Sequence, residues 1–293
     1  MSVEPTLESS AERFITKQDE RNPIWTRYKA IEHTFWTTEG LADMAHRRAP
    51  DARIQALLHH LSAGHPSLQR LILAILAKVQ LAEARSHLGW QYAMISIHME
   101  ACFTLGGVAP LCSAESISDM TYQQSVLELA LNMSLMGIGS FAVMAYTSAG
   151  TSESVVDACK RMWKDRKAFA EFALFFYNSY IRVKQPEPTI LLATRELAHR
   201  EEKFVLELSP RPEAADSICQ CIHWTADKFL HDIGVLKRPL GDSPAPPGWF
   251  SSHGAGASGA SAGASAGASG VAGTPKPKFS AAPANEFCLD ADF

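Results

Sequence analysis

Between Leu129 and Ser152 the chain carries no charged residue. The stretch "LALNMSLMGIGSFAVMAY" within it would be apolar on every side of a helix. A helix with no polar face has to be buried all round, either in a membrane or at the centre of a bundle. Asn132, Ser134 and Ser140 interrupt the run, glycine and alanine recur in it, and no basic flank or aromatic belt borders it. Its neighbours in sequence are amphipathic, so they supply the surfaces that would surround it. A buried bundle helix is the expectation, and no membrane partner is expected.

The rest of the chain supports that reading. Alternating β-branched runs and Asn-Gly or Asp-Gly hairpin turns are almost absent. Helical spacing recurs instead. "NPIWTRYKAIEHTFWTTEGL" places Pro23 near a helix start, with Ile24, Tyr28, Ile31 and Phe35 on one face. A long helical pattern begins after Pro66 and runs as one stripe through Leu68, Leu71, Ile72, Ile75, Leu76 and Val79 into "LAEARSHLGWQYAMISIHMEACFTL". Further helices are expected over 118–146, 152–183, 189–208 and 213–233, separated by Gly150, Pro186, Pro188, Pro210, Pro212 and Gly234. The fold class is therefore all-α. Residues 1–22 are expected to be a flexible arm, 23–240 the helical domain, 241–284 a Pro- then Gly/Ala/Ser-rich linker, and 285–293 a terminal peptide.

Charge and cysteine usage narrow the partners. The 293 residues carry a net charge of −4, which gives no basic field for nucleic acid. The six cysteines show no CxxC pairing, and "MSVEPTLESSAERF" is polar rather than signal-like, so a reducing cytoplasm is expected.

Helical bundles with inward carboxylates and histidines can hold two iron ions, using a Glu from each of two helices and a Glu-x-x-His from each of two others. Residues three apart share a helix face, so "ELAH", Glu196 to His199, is a formal match. It sits among Arg195, Arg200, Glu201, Glu202 and Lys203, the composition of a solvated face. Glu83 and His87 form an equally ambiguous i, i+4 pair, and only Glu128 lies in apolar sequence.

The stretches "IWTRYKAIEHTFWTTEGL", "VQLAEARSHLGWQYAMISIHMEACF", "GSFAVMAY" and "HWTADKFLHDIG", closed by "FCLDADF" at the end of the chain, occur in an order that resembles the small subunit of class I ribonucleotide reductase in its eukaryotic form. The likeness spans roughly residues 23–240 and the last seven residues, with a shortened segment between Trp36 and Glu83. It implies a ferritin-like helical bundle, a di-iron centre that generates a tyrosyl radical, and a C-terminal peptide that docks on the large subunit.

Carried over one position at a time, the resemblance implies a bundle that has lost its chemistry. The first Glu-x-x-His falls on Ile95-Ser96-Ile97-His98, keeping only His98. The radical tyrosine falls on Cys102. A ligand glutamate falls on Met133. The second Glu-x-x-His, following Asp165, falls on Arg166-Lys167-Ala168-Phe169, and the remaining acid belongs near Gly64, where Leu61 to Ser67 offers no carboxylate. Trp36, Asp165 and His98 match relay positions, but the tail tyrosine of the relay has no counterpart, since Tyr180 is the last tyrosine. No di-iron cofactor is expected, because nothing would neutralise two dications and Arg166 adds a positive charge. A salt bridge between Arg166 and Asp165 is expected to fill the space.

The terminal peptide keeps its anchors: Phe287, Leu289 and Phe293 are apolar, and Asp290 and Asp292 are charged. A linker of about 35 residues would span on the order of 30 Å and hold the peptide at about millimolar effective concentration. The expected role is a non-catalytic small subunit in deoxyribonucleotide synthesis that pairs with a ligand-complete paralogue and docks on the large subunit. Two alternatives remain at the level of sequence. One is an active subunit with a displaced metal site drawn from Glu83, Glu128, Glu100 and His98, or Glu196 and His199. The other is a decoy competing for the large subunit's peptide groove.

Overall fold

In the computed structural model of the chain the described residues are 4–8, 19–39, 41, 52–106, 120–147, 151–208, 212–238 and 245. They form nine α-helices and no strand: α1 Pro23–Glu32, α2 Ala52–Ala63, α3 His65–Leu76, α4 Ala82–Thr104, α5 Tyr122–Leu135, α6 Ile138–Tyr146, α7 Glu153–Tyr180, α8 Glu187–Leu208 and α9 Pro212–Asp232. The all-α expectation holds, and α7, α8 and α9 begin and end within a few residues of the sequence-based boundaries.

Local chemistry sets the helix ends. Asn22 caps α1, its side chain accepting from the Ile24 and Trp25 amides ahead of Pro23 at the first helical position. Thr121 and Gln124 form a reciprocal capping box at the start of α5. Gly234, at φ +83°, ends α9 in a left-handed turn whose following amides return to Leu230.

Two expected helices are each divided. The run from Pro66 to Leu105 turns at 77–81, so that α4 folds back beside α3 and Gln69 Nε2 donates to Ser96 Oγ at 2.8 Å. The Arg85 guanidinium donates to the Leu76 and Val79 carbonyls at 2.7 and 3.1 Å, satisfying acceptors that the turn frees. The charge-free segment is also divided, at Met136 and Gly137, and both halves are buried in the bundle. Tyr122–Tyr146 is the one described helical run long and apolar enough to cross a membrane by composition. Helix α2 is not among the helices expected from sequence, although Ile54, Leu57, Leu58 and Leu61 recur at helical spacing.

The helices share one hydrophobic core, with α5 against α7, α8 against α9, and α3 against both α4 and α5. Residues 4–8 depart from the flexible arm expected there. Pro5–Leu7 form a 3-10 turn with Glu4 and Thr6 buried. The Glu4 carboxylate accepts from the Arg182 and Val183 amides and from Gln123 Nε2, and Thr6 is bonded to the Tyr122 hydroxyl and the Gln80 amide. Partners drawn from three distant helix junctions make burial of these polar groups tolerable.

His87, on α4, is fully buried with its ring stacked on Phe172 at 3.4 Å. Burial pushes the imidazole down from 6.5 to about 3. The folded form therefore stays neutral while the unfolded chain takes up a proton, and this contribution to stability is lost as pH falls below 6.5 toward 3.

Two outcomes are expected. His87→Phe should remove about one proton from the acid-side dependence, or about 1.4 kcal/mol per pH unit between roughly pH 6 and pH 4, in urea titrations. Gly137 has φ +79°, and a Cβ there would stand 3.1 Å from Leu61 Cδ2. Gly137→Ala should accordingly lower the unfolding free energy by about 1–2 kcal/mol or more, read from the urea midpoint.

Candidate functional site

The positions singled out by sequence converge at the centre of the bundle. From α4 come Ile95, His98 and Cys102, each with 0% exposure; from α5, Met133; from α7, Asp165, Arg166 and Phe169; and from the joint of α2 and α3, Gly64 and His65. Helical periodicity explains the convergence. Ile95, His98 and Cys102 lie three and four apart on one stripe of α4, as do Asp165 and Phe169 on α7.

The three relay-like residues are hydrogen-bonded through a single oxygen. Trp36 Nε1 donates to Asp165 Oδ2 at 2.8 Å, and His98 Nε2 lies 2.9 Å from the same atom. The Trp36 and His98 rings are near parallel with centroids 5.7 Å apart, and the Arg161 guanidinium lies over Trp36 at 5.9 Å. His98 also faces Phe169 at 6.4 Å and the edge of His65 at 5.8 Å. Burial lowers the His98 pKa, opposed by Asp165 and reinforced by Arg166. His65 is held well below its ordinary value by burial and by the charges of His98 and Arg166.

Arg166 does not pair with Asp165, contrary to the expectation from sequence. Adjacent residues on a helix point about 100° apart, so Asp165 turns toward α4 while Arg166 turns toward α5. One guanidinium nitrogen, Nη2, donates to the carbonyls of Asn132 at 2.6 Å, Met133 at 3.2 Å and Met136 at 2.9 Å. Burial lowers the Arg166 pKa to about 10, with the nearby Glu201 charge acting in the opposite direction. The group remains a cation at neutral pH.

A di-iron pair does not fit these residues. Ile95, Met133 and Phe169 offer no ligand atoms suited to iron, and Arg166 brings a fixed positive charge. The volume is occupied as well: a Cβ built on Gly64 would fall 2.4 Å from both Sδ and Cε of Met136, so the thioether fills the space of a side chain at that position. Burial pushes the Cys102 thiol up to about 12, leaving a protonated core residue. Among the described residues no three His, Cys, Asp or Glu side chains cluster as a metal site.

The displaced set does not converge. Glu100 is exposed and accepts from Thr38 Oγ1 at 2.8 Å. Glu128 is half-buried and bonded to Asn132, its pKa raised by burial. Glu83 lies at the first turn of α4. Glu196 and His199 do share a face of α8, but it is the solvent face, where His199 is 79% exposed and pairs with Glu202 at 3.6 Å.

Three residues of the site are absent from the sequence-based candidates: His65, Met136 and Glu201, the last of which the sequence assigns to a solvated face. Glu201 is 2% exposed, and its carboxylate accepts from the amides of Gly137 at 2.8 Å and Gly139 at 2.9 Å. A signal for it exists: Ile190, Thr194, Leu197, Glu201 and Val205 recur at helical spacing, which places Glu201 on the buried stripe of α8. Phe287, Leu289, Asp290, Asp292 and Phe293 lie outside the described residues.

No protein-family model matches the chain. Similarity to known proteins is nevertheless extensive. A ribonucleoside-diphosphate reductase small chain of Spisula solidissima is 32% identical over 279 residues, spanning 83% of this chain and 72% of that one. Subunit M2 of ribonucleoside-diphosphate reductase from Mesocricetus auratus is 35% identical over 271 residues, spanning 80% and 70%. Among solved structures, the ribonucleotide reductase Rnr4 homodimer of Saccharomyces cerevisiae superposes with a TM-score of 0.65 at 21% identity, over 80% of this chain and 85% of that one. That likeness shows the fold, the ferritin-like helical bundle expected from sequence. With relatives above 30% identity matched over more than two thirds of their length, the chain belongs to the ribonucleoside-diphosphate reductase small-chain family.

Proposed function

We propose that this protein serves deoxyribonucleotide synthesis as a non-catalytic small subunit: a cytoplasmic helical scaffold that carries no di-iron centre, pairs with a ligand-complete paralogue and docks on the large subunit through its C-terminal peptide. The observation that carries this reading is the occupancy of the ligand positions by Arg166 and by the Met136 thioether over Gly64. A buried guanidinium bonded to three carbonyls opposes the entry of further cations, and reaching an iron-binding state would require it to leave those bonds.

The retained Trp36–Asp165–His98 network has a structural use in such a scaffold. It ties the segment after α1 to α4 and α7 through buried hydrogen bonds, so its persistence needs no redox role. The cytoplasmic placement is supported by the free thiols of Cys102, Cys159, Cys219 and Cys221. In the complex, the tail would act as a tether, with Phe287, Leu289 and Phe293 as apolar anchors and Asp290 and Asp292 as charged partners.

After reconstitution with ferrous iron and oxygen, the purified chain is expected to hold no stoichiometric iron and to give no tyrosyl-radical signal; stoichiometric iron with a radical would sink the proposal. Deleting Phe287 to Phe293 should abolish binding to the large subunit with the helical circular dichroism unchanged. Added to a reductase assembled with a ligand-complete small subunit, the intact chain should raise deoxynucleotide formation, whereas a fall would identify a competitor for the peptide groove.

A further inference from the structure

The division between α5 and α6 lies inside the bundle, with Gly137, Ile138, Gly139 and Ser140 buried, and releases backbone groups that a continuous helix would have satisfied. Left without partners in such an interior, each of those groups would carry its full desolvation penalty. At this break the partners are two oppositely charged side chains. Arg166, on α7, reaches the carbonyls of Met133 and Met136, which the break frees, and that of Asn132, which also accepts from the Met136 amide at 3.0 Å. Glu201, on α8, takes the amides of Gly137 and Gly139 at the N-terminal end of α6. The signs match the helix dipoles, with a cation at a C-terminus and an anion at an N-terminus.

The backbone is shaped to receive both. Gly137 takes the left-handed turn at φ +79°. At Gly139 a Cβ would lie 3.0 Å from Val205 Cγ2 and 3.2 Å from both the Glu201 carbonyl and Oε2, so α6 approaches α8 at a distance that favours glycine. His60 on α2 orients the carboxylate from the other side, with Nε2 at 3.2 Å from Oε2 and its ring stacked on Phe204 at 3.7 Å.

We propose that Arg166 and Glu201 act together as a charge clamp on the α5–α6 break, positioning residues that hold the centre of the bundle in register without a metal ion. Neither residue suffices alone: the cation satisfies only carbonyls and the anion only amides, and the Glu201 charge favours the buried Arg166 cation. The clamp rests on the geometry of the break; only its independence from metal rests on the function proposed above.

The test uses the full-length chain with Arg166→Met, Glu201→Gln and the double variant, following backbone amide exchange and thermal unfolding. Each single variant should speed exchange at Gly137 and Gly139 by about tenfold or more while α1 and α9 stay protected, as loss of a buried hydrogen-bonded charge in one local unit requires. Each should lower Tm by roughly 10 °C, and the double variant should lose clearly less than the sum. Strictly additive losses, or exchange at Gly137 and Gly139 that responds to Glu201→Gln and ignores Arg166→Met, would overturn the clamp. If Arg166→Met does not fold, Arg166→Lys takes its place with the same two readouts, and the same outcomes support or overturn the clamp. Iron bound by the unaltered chain would end the metal-free reading and leave the exchange and coupling results to decide the clamp.

Discussion

The structure depends on how a broken, largely apolar helix is kept at the centre of the bundle. A continuous helix from Tyr122 to Tyr146 would need no outside partners, but it would run straight where the fold requires a bend against α8. The bend at Gly137 creates acceptors on one side and donors on the other. Arg166 and Glu201 supply the complementary groups, and their helices, α7 and α8, are thereby fixed to the same point. The Trp36–Asp165–His98 triad beside it ties α4 and the segment after α1 to α7.

In chemical terms the crosslinks of this interior are hydrogen bonds from buried charged side chains to the backbone. A metal pair would join helices through carboxylate and imidazole ligands; here the joining atoms are a guanidinium, a carboxylate and backbone carbonyls and amides. The substitutions are mutually consistent. Glycine at 64 makes room for Met136, arginine at 166 uses the carbonyls that Met136 and Met133 present, and Ile95 and Phe169 cover the remainder with apolar surface. Restoring a single family ligand would therefore meet a packed core rather than an open site.

Much of this is legible without the fold. Periodicity and proline positions locate most of the helices, and the identities Ile95, Cys102, Met133, Arg166 and Phe169 show that these positions carry neither carboxylate nor imidazole. Less legible are the divisions of the two long helical patterns, because residues 77–81 carry no glycine or proline, Gly137 and Gly139 are a weak stop signal within an apolar run, and both turns are stabilised from outside: by Arg85 and the N-terminal Thr6 in one case, by Arg166 and Glu201 in the other. The N-terminal segment shows the same limit, since an acidic, polar composition reads as solvated until the amides that bind Glu4 are in place.

By itself the sequence determined the helical class, the order of family motifs and the identities of the side chains at the positions that meet in the core, because these follow from local spacing and residue identity. Only the tertiary structure decided where the two buried charges go. The Arg166 carbonyl partner at Asn132 lies 34 residues away and the Glu201 amide partner at Gly137 lies 64 residues away. Neighbouring positions on a helix face different elements, so Asp165 and Arg166, adjacent in sequence, end in separate networks. The direction of a side chain in a bundle is set by which helix packs on each face, and that is a property of the assembled fold.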